Sequence, residues 1–261
     1  MPHQGELGVS EDQAAGLRRM FARSRRRFLA LVSNPHVDGS GIAVERLTAA
    51  LSMLGLRTLV FDAGEDSPLP QEAAALGLAA CVETLTPRVA YLAARGLSRR
   101  YVDTQGSSAS LLQELAQVAP RSDVVVLHAP APELARLLMP QSHRPVLLAA
   151  DQADSVKHAY AALKLLSQRC GWMSFDLLLL GTRGVRPARI AETVGHCAEQ
   201  FIGSTLHDWA ALDPDTHAAE PPPPELLRLV VSQLESDELT PMAAWSRSTG
   251  GAPLALAQRR N

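Results

Sequence analysis

Two glycines and a serine follow the first strongly apolar segment of the chain, in a loop of the kind that can hold a phosphate. Residues 28–33 read FLALVS, the loop NPHVDGSG follows, and a helical pattern of apolar residues begins at Ile42. A strand, a glycine-containing loop and a helix begin a mononucleotide-binding βαβ unit, in which backbone N–H groups at the helix start bind phosphate. The lysine and hydroxyl of the pattern G-x-x-x-x-G-K-[ST] are absent here. The loop therefore predicts weak anion binding at most, through the amides of residues 39–41.

Three more polar residues are predicted to lie near this loop. His36 is part of it, Asp62 ends the apolar segment LRTLVFD, and His128 ends the apolar segment DVVVLH. Because the carboxyl ends of parallel strands meet at one edge of a sheet, these side chains should lie close to the ligand-bearing edge. Two imidazoles and a carboxylate could bind a transition metal. We favour the alternative, in which they are ordinary polar residues and hold no metal.

An alternation of apolar strands and amphipathic helices surrounds these residues. It predicts an α/β fold with a parallel sheet flanked by helices on both faces. Besides the two segments that carry the loop and Asp62, strands are predicted at residues 100–103, 123–128, 145–150 and 175–180. Helices are predicted at residues 71–80, 107–118, 132–139, 153–168 and 187–201.

Composition limits the class of protein. The 261 residues are 46% hydrophobic with a net charge of -2, which fits one α/β domain and gives no basic excess for nucleic-acid binding. No apolar run approaches the roughly 20 residues that span a bilayer, and the N-terminal residues lack the apolar core of a secretion signal. The three widely spaced cysteines indicate reduced thiols. We therefore expect a cytoplasmic protein.

The two ends of the chain differ from its middle, which divides it into residues 1–27, 28–220 and 221–261. In the first segment Ser10 and Gln13 form a capping box, and an apolar stripe follows that includes Phe21. This helix could pack on its own domain or be held out for a partner. In the last segment a proline run at residues 221–224 is interpreted as a stiff spacer. The short amphipathic helix after it has one basic residue, Arg228, so we expect it to pack on the domain rather than on a membrane.

Two stretches together resemble one family. DQAAGLRRM, at residues 12–20, is similar to the activation helix of flagellar-number regulators of the MinD/ParA family, the FlhG or FleN type. Residues 28–214 resemble a MinD-type ATPase domain with degenerate motifs, in which LVFDAGE, DVVVLHAPAP and the segment starting VLLAADQADS stand at the family's later motifs. The resemblance implies a SIMIBI-type P-loop NTPase-like fold.

The resemblance also shows which nucleotide contacts are missing. Asp62 keeps the first aspartate of the second motif, but Gly64 replaces the aspartate that activates water, and His128 replaces the one that faces magnesium. With Gly39 on the last glycine of the family's loop, the phosphate-binding lysine, the magnesium-binding hydroxyl, the lysine that crosses the dimer and the adenine-reading asparagine are replaced by Ser40, Gly41, Pro35 and Gly181. Phosphoryl transfer depends on positioning and charge neutralisation, so these losses predict a pseudo-ATPase. No cofactor is expected beyond weakly bound ATP or ADP.

By resemblance, the N-terminal helix would bind FlhF, a signal-recognition-particle-type GTPase, and would stimulate its GTPase activity. The residues implied in this contact are Asp12, Gln13, Ala14, Leu17 and Arg18. Flagellar switch proteins or a flagellar transcriptional activator are further implied partners, with action at the cell pole or the membrane periphery. Two alternatives stay open: a working ATPase with a non-standard loop, and a MinD-like scaffold in another polar-positioning or surface-polymer pathway.

Overall fold

The computed structural model describes residues 27–70, 77–181, 185–217 and 219–237. The predicted N-terminal helix, with all the residues assigned to partner binding, lies outside the described residues. So do most of the helix predicted at residues 71–80 and the chain beyond residue 237.

One sheet of eight strands forms the centre of the molecule, in the order β3-β4-β2-β5-β1-β6-β7-β8. β3 pairs with β4 in antiparallel orientation, and every other pair is parallel. This confirms the predicted α/β class and corrects it at one edge. The strands are β1 (Arg27–Val32), β2 (Thr58–Asp62), β3 (Val82–Thr86), β4 (Val89–Ala93), β5 (Val124–Ala129), β6 (Val146–Ala150), β7 (Ser174–Leu180) and β8 (Thr205–Leu212).

Helices cover both faces of this sheet. They are α1 (Ser40–Met53), α2 (Ala109–Val118), α3 (Ala131–Leu138), α4 (Ala153–Cys170), α5 (Val185–Ile202) and α6 (Pro224–Asp237), with two 3₁₀ helices at Leu78–Cys81 and Leu97–Tyr101. α2 to α5 contribute to the hydrophobic core on one face, and α1 and α6 to the core on the other. The inner strands are therefore buried on both sides, which explains their continuous apolar sequences.

The strand predicted at residues 100–103 is wrong, because those residues belong to the end of the 3₁₀ helix Leu97–Tyr101 and the turn after it. Three observed strands, β3, β4 and β8, were not predicted. β3 is an edge strand with four exposed residues, and β8 is only partly buried. Neither has the apolar run that marks the inner strands, so the sequence pattern alone does not reveal them.

The last helix packs on the domain, as the sequence predicted. Leu226, Leu229 and Val230 of α6 are fully buried in the core beside α1. The guanidinium of Arg46 in α1, which is 3% exposed, donates hydrogen bonds to the backbone carbonyls of Glu220 (2.8 Å) and Pro221 (3.0 Å). The proline run therefore lies against the domain instead of holding α6 away from it. Within the described residues, no helix is long and apolar enough to cross a bilayer.

Candidate functional site

The carboxyl ends of β2 and β5 bring Asp62 and His128 together. These strands are adjacent and parallel, and the register pairs Asp62 directly with His128. Paired residues of parallel strands point to the same face, so the two side chains meet. Nδ1 of His128 lies 2.7 Å from Oδ1 of Asp62, and the two side chains are 3% and 14% exposed. The predicted convergence of these two residues is thus present.

Both carboxylate oxygens of Asp62 are engaged within the protein. Besides His128, Oδ1 accepts a hydrogen bond from the backbone N–H of Gly64 (3.2 Å). Oδ2 accepts one from the hydroxyl of Tyr91 in β4 (2.9 Å). Burial alone would raise the pKa of Asp62, but the hydrogen bond and charge of His128, together with smaller contributions from Ser67 and Tyr91, outweigh burial and hold this pKa at about 2. Asp62 is therefore ionised at neutral pH and acts as an acceptor only.

This ionisation determines the protons on its two neighbours. Nδ1 of His128 must carry a proton to donate to the carboxylate. Its Nε2 atom is buried and has no hydrogen-bond partner in the described part of the chain. Burial and the charge of Asp62 raise the pKa of Tyr91, so the hydroxyl stays protonated and donates. We name the group of Asp62, His128, Tyr91 and Gly64 the aspartate cluster; three internal hydrogen bonds to the Asp62 carboxylate hold it together.

Gly64 is required by the position of the His128 ring. A Cβ atom at residue 64 would lie 2.7 Å from Cε1 and 3.1 Å from Nδ1 of His128. Carbon atoms do not approach that closely without displacement, so a side chain at residue 64 and the present position of the imidazole exclude each other. Residues 64 and 128 therefore form one structural unit.

The first loop is anchored to the neighbouring strands by polar side chains. Ser33 donates a hydrogen bond to Oε2 of Glu65 (2.6 Å), which joins the loops that follow β1 and β2. The side-chain amide of Asn34 donates to the carbonyls of Leu148 (2.8 Å) and Ser155 (3.0 Å). Sequence reasoning missed both Ser33 and Asn34, since a single serine and asparagine after a strand give no distinctive signal.

The residues assigned to the phosphate-binding loop lie between β1 and the first turn of α1. Pro35 is in the turn after β1, and Gly39 has a left-handed backbone (φ 77°, ψ 31°) directly before α1. Ser40 and Gly41 form the first turn of α1, whose first turn has no acidic residue. Free amides at this helix start can attract an anion.

The loop itself contains no lysine. The whole chain contains two lysines, Lys157 and Lys164, and both are exposed residues of α4. Lys157 forms an exposed ion pair with Asp154 (3.1 Å). The lysine that a phosphate-binding loop uses is therefore missing from its usual position, and two arginines at this strand edge are engaged elsewhere: Arg95 donates to the carbonyl of Glu65 (2.9 Å), and Arg186 pairs with Asp151 (3.0 Å).

The metal-binding alternative is not supported by the geometry. His36 does not join the aspartate cluster; its ring lies 5.7 Å from the ring of His158 in α4, measured between centroids. Among the residues that the structure describes, no three His, Cys, Asp or Glu side chains are placed to hold a metal ion. Gly181, the residue expected near an adenine base, follows β7 with a positive φ of 89°, and residues 182–184 lie outside the described part.

Comparison with known proteins gives a fold relationship. No family model matches the chain, and no curated protein sequence matches it significantly. Among solved structures, pNOB8 ParA bound to nonspecific DNA aligns with a TM-score of 0.53 and 11% identity, covering 82% of this chain and 100% of that one. Cobyrinic acid a,c-diamide synthase from Mycobacterium smegmatis, with bound ATP analog and magnesium, aligns with a TM-score of 0.51 and 15% identity, covering 85% and 97%.

MinD of Aquifex aeolicus also aligns, over 84% of this chain and 92% of that one, with 10% identity and a TM-score of 0.48. The fold relationship relies on the other two structures, whose TM-scores exceed 0.5. Sequence identities this low carry no information about activity. The chain therefore shares the α/β fold of pNOB8 ParA and of cobyrinic acid a,c-diamide synthase, and this likeness is one of fold.

Proposed function

We propose that the chain is a pseudo-ATPase of MinD/ParA-like fold that acts by binding other proteins. The observation that carries this proposal is that both carboxylate oxygens of Asp62 accept hydrogen bonds from within the protein. Its carboxylate is the one acidic group retained from the family's motifs, and it is occupied by His128, Tyr91 and the amide of Gly64. A magnesium ion or an attacking water would have to compete with these partners for the carboxylate.

The energies point in the same direction. A hydrogen bond to a charged group contributes about 1.5–3 kcal/mol, so the missing lysine alone weakens triphosphate binding by roughly ten- to a hundredfold. Opening the contact between Asp62 and His128 costs a further amount of this order. Because phosphoryl transfer depends on charge neutralisation, a site without lysine, metal ligand or water-orienting acid has no means of hydrolysis.

Calorimetry with ATP and ADP in the presence of magnesium tests this half of the proposal. We expect no binding heat at millimolar nucleotide, and a hydrolysis rate equal to the buffer background. Asp62→Asn should leave that rate unchanged, as should the matched change Asp66→Asn at an exposed position of the same loop. Micromolar binding, with turnover lost in Asp62→Asn and kept in Asp66→Asn, would instead establish the alternative of a working ATPase with a non-standard loop.

The finer part of the proposal assigns the chain to flagellar biosynthesis. Its support is the resemblance of residues 12–20, DQAAGLRRM, to the activation helix of FlhG- or FleN-type regulators. We propose that this segment stimulates the GTPase FlhF and that the domain contacts flagellar switch proteins or a transcriptional activator. Action at the cell pole or the membrane periphery is part of this proposal. Its alternative is a scaffold in another polar-positioning or surface-polymer pathway.

A GTPase assay with the full chain tests the partner. We expect FlhF turnover to rise on addition of the chain and to return to its basal value with Gln13→Ala. Gln4→Ala is the matched control, because it removes a glutamine outside the resembling stretch. If the wild-type chain leaves FlhF turnover unchanged, the assignment to this partner fails and the scaffold alternative takes its place.

A further inference from the structure

A concave site lies at the edge of the sheet opposite Asp62. Its volume is about 670 Å³, within the range of small-molecule sites. Phe28 near the start of β1, Ser174 at the start of β7 and Thr205 at the start of β8 form part of its wall. Nucleotides bind beyond the carboxyl ends of parallel strands, so the strand starts lie at the opposite edge of the sheet. We name this site the strand-start cavity; nothing in the resemblance or the proposed function uses it.

A rigid guanidinium forms one side of the strand-start cavity. Nε of Arg144 donates to Oδ2 of Asp176 (3.0 Å), and Nη2 donates to the hydroxyl of Ser232 (2.8 Å). Asp176 is fully buried and also accepts a hydrogen bond from the amide of Gln233 in α6 (2.6 Å). These contacts fix the guanidinium in place, and its side chain is 11% exposed.

Arg144 has donor capacity left over. Its Nη1 amino group has no hydrogen-bond partner within the described residues. Hydroxyl groups surround the same space, and none of the described lining residues is acidic. The hydroxyls belong to Ser142, Ser174, Thr205 and Ser236. A wall that offers a fixed guanidinium and several hydroxyls, without a facing carboxylate, is suited to an oxygen-rich anion.

The remaining wall is apolar or neutral. Phe28 and Met173 line it, and the ring of His143 stands edge-on to the buried indole of Trp172, with 5.5 Å between ring centroids. Burial lowers the pKa of His143 to about 4, so this imidazole is uncharged at neutral pH. The cavity thus offers an apolar surface next to its hydrogen-bond donors, the combination typical of sites for small organic ligands.

We propose that the strand-start cavity binds a small organic anion, a carboxylate or phosphate group attached to an apolar body. The anionic group contacts Nη1 of Arg144 and the neighbouring hydroxyls, and the apolar body lies against Phe28 and Met173. The site is independent of the proposed pseudo-ATPase edge, and binding at one is expected without binding at the other.

Titrations of the full chain with phenyl phosphate, benzoate and neutral benzyl alcohol, followed by calorimetry and protein NMR, test the proposal. We expect one of the two anions to bind at least about tenfold more tightly than benzyl alcohol, with shift changes at residues that line the cavity. Comparing phenyl phosphate with benzoate tells which anionic group the site prefers. Inorganic phosphate alone should bind more weakly than phenyl phosphate, because it lacks the apolar body.

Two variants locate the binding. Ser236→Trp places an indole at the cavity rim and should abolish binding, whereas Glu235→Trp, on the exposed side of α6 next to it, should not. Arg144→Lys keeps a cation beside Asp176 but removes Nη1, and should weaken anion binding about tenfold. The proposal is overturned if neither anion binds at 10 mM, which we take as about the weakest affinity of interest. Equal affinity for benzyl alcohol, or unchanged affinity in Ser236→Trp, also overturns it.

Discussion

Substituting alanine for Gly64 tests the aspartate cluster directly. The added methyl group would lie 2.7 Å from Cε1 of His128, while ordinary contacts begin near 3.4 Å, so the ring must move by about 0.7 Å. His128 is 2% exposed in a central strand and cannot turn towards solvent. The displacement therefore acts on the 2.7 Å contact between Nδ1 and Asp62.

The expected loss of stability follows from two opposing effects. Overpacking a core costs about 1–3 kcal/mol, and stretching a charged hydrogen bond removes part of its 1.5–3 kcal/mol. In the opposite direction, replacing glycine by alanine reduces the entropy of the unfolded chain and contributes about 0.4–1 kcal/mol. Gly64 is not among the glycines with positive φ, so no backbone strain is added. We expect Gly64→Ala to lower the free energy of unfolding by about 2–3 kcal/mol.

Urea unfolding of a double-mutant cycle measures this value and its cause. With His128→Ala in place there is no ring to displace, so adding Gly64→Ala should then be neutral or stabilise the protein by up to about 1 kcal/mol. Gly41→Ala is the matched control, because no atom lies within 4 Å of its added methyl group and the residue is helical. It should be neutral or stabilising. A Gly64→Ala cost that persists without the ring would refute the proposed coupling between residues 64 and 128.

Three further predictions concern the ionisable side chains of Asp62, His143 and Arg46. The pKa of Asp62 is about 2 in the folded protein and about 3.9 in the unfolded chain. Ionised Asp62 therefore contributes roughly 2 kcal/mol to stability above pH 4, and this contribution is lost as the pH falls towards 2. Urea unfolding curves of Asp62→Asn should lack this loss. The pKa of His143 is about 4 in the folded protein and about 6.5 in the unfolded chain. The unfolded chain therefore binds the proton first, and stability declines as the pH falls from 6.5 to 4. His143→Leu should remove up to about 3 kcal/mol of that decline. Arg46→Leu loses two hydrogen bonds to backbone carbonyls beside α6 and should lower the free energy of unfolding by about 2 kcal/mol. Arg57→Leu, at a side chain that is 48% exposed, should change it by less than about 1 kcal/mol.

Local patterns were sufficient for the inner part of the fold. Strands β5, β6 and β7 and helices α2 to α5 were predicted close to their observed bounds, because a strand buried on both faces must be apolar throughout. The same patterns failed at β3, where exposure to solvent permits residues such as Glu83 and Thr84, and at β4, a five-residue strand that was not recognised although its sequence VAYLA is apolar. That failure had a consequence for the site, because Tyr91 of β4 donates to Asp62 and could not be placed without its strand.

The strand-start cavity was also beyond the reach of sequence reasoning. Its wall combines Phe28, Arg144 and Gln233, which lie far apart in the chain and show no common motif. They meet because β1 lies beside β6 in the sheet, and because α6 returns to pack on β1 and β8. Contacts of this kind depend on the order of strands and on the docking of a terminal helix, neither of which a local pattern encodes.

The sequence by itself determined the α/β class and the absence of a lysine in the first loop, since both follow from residue types at known positions in the chain. It also placed Asp62 and His128 at the same edge of the sheet. Only the tertiary structure decided that they form a contact, that Tyr91 completes it and that Gly64 leaves room for the ring. The physical reason is register: Asp62 and His128 are 66 residues apart, and their meeting depends on how β2 and β5 align within the sheet.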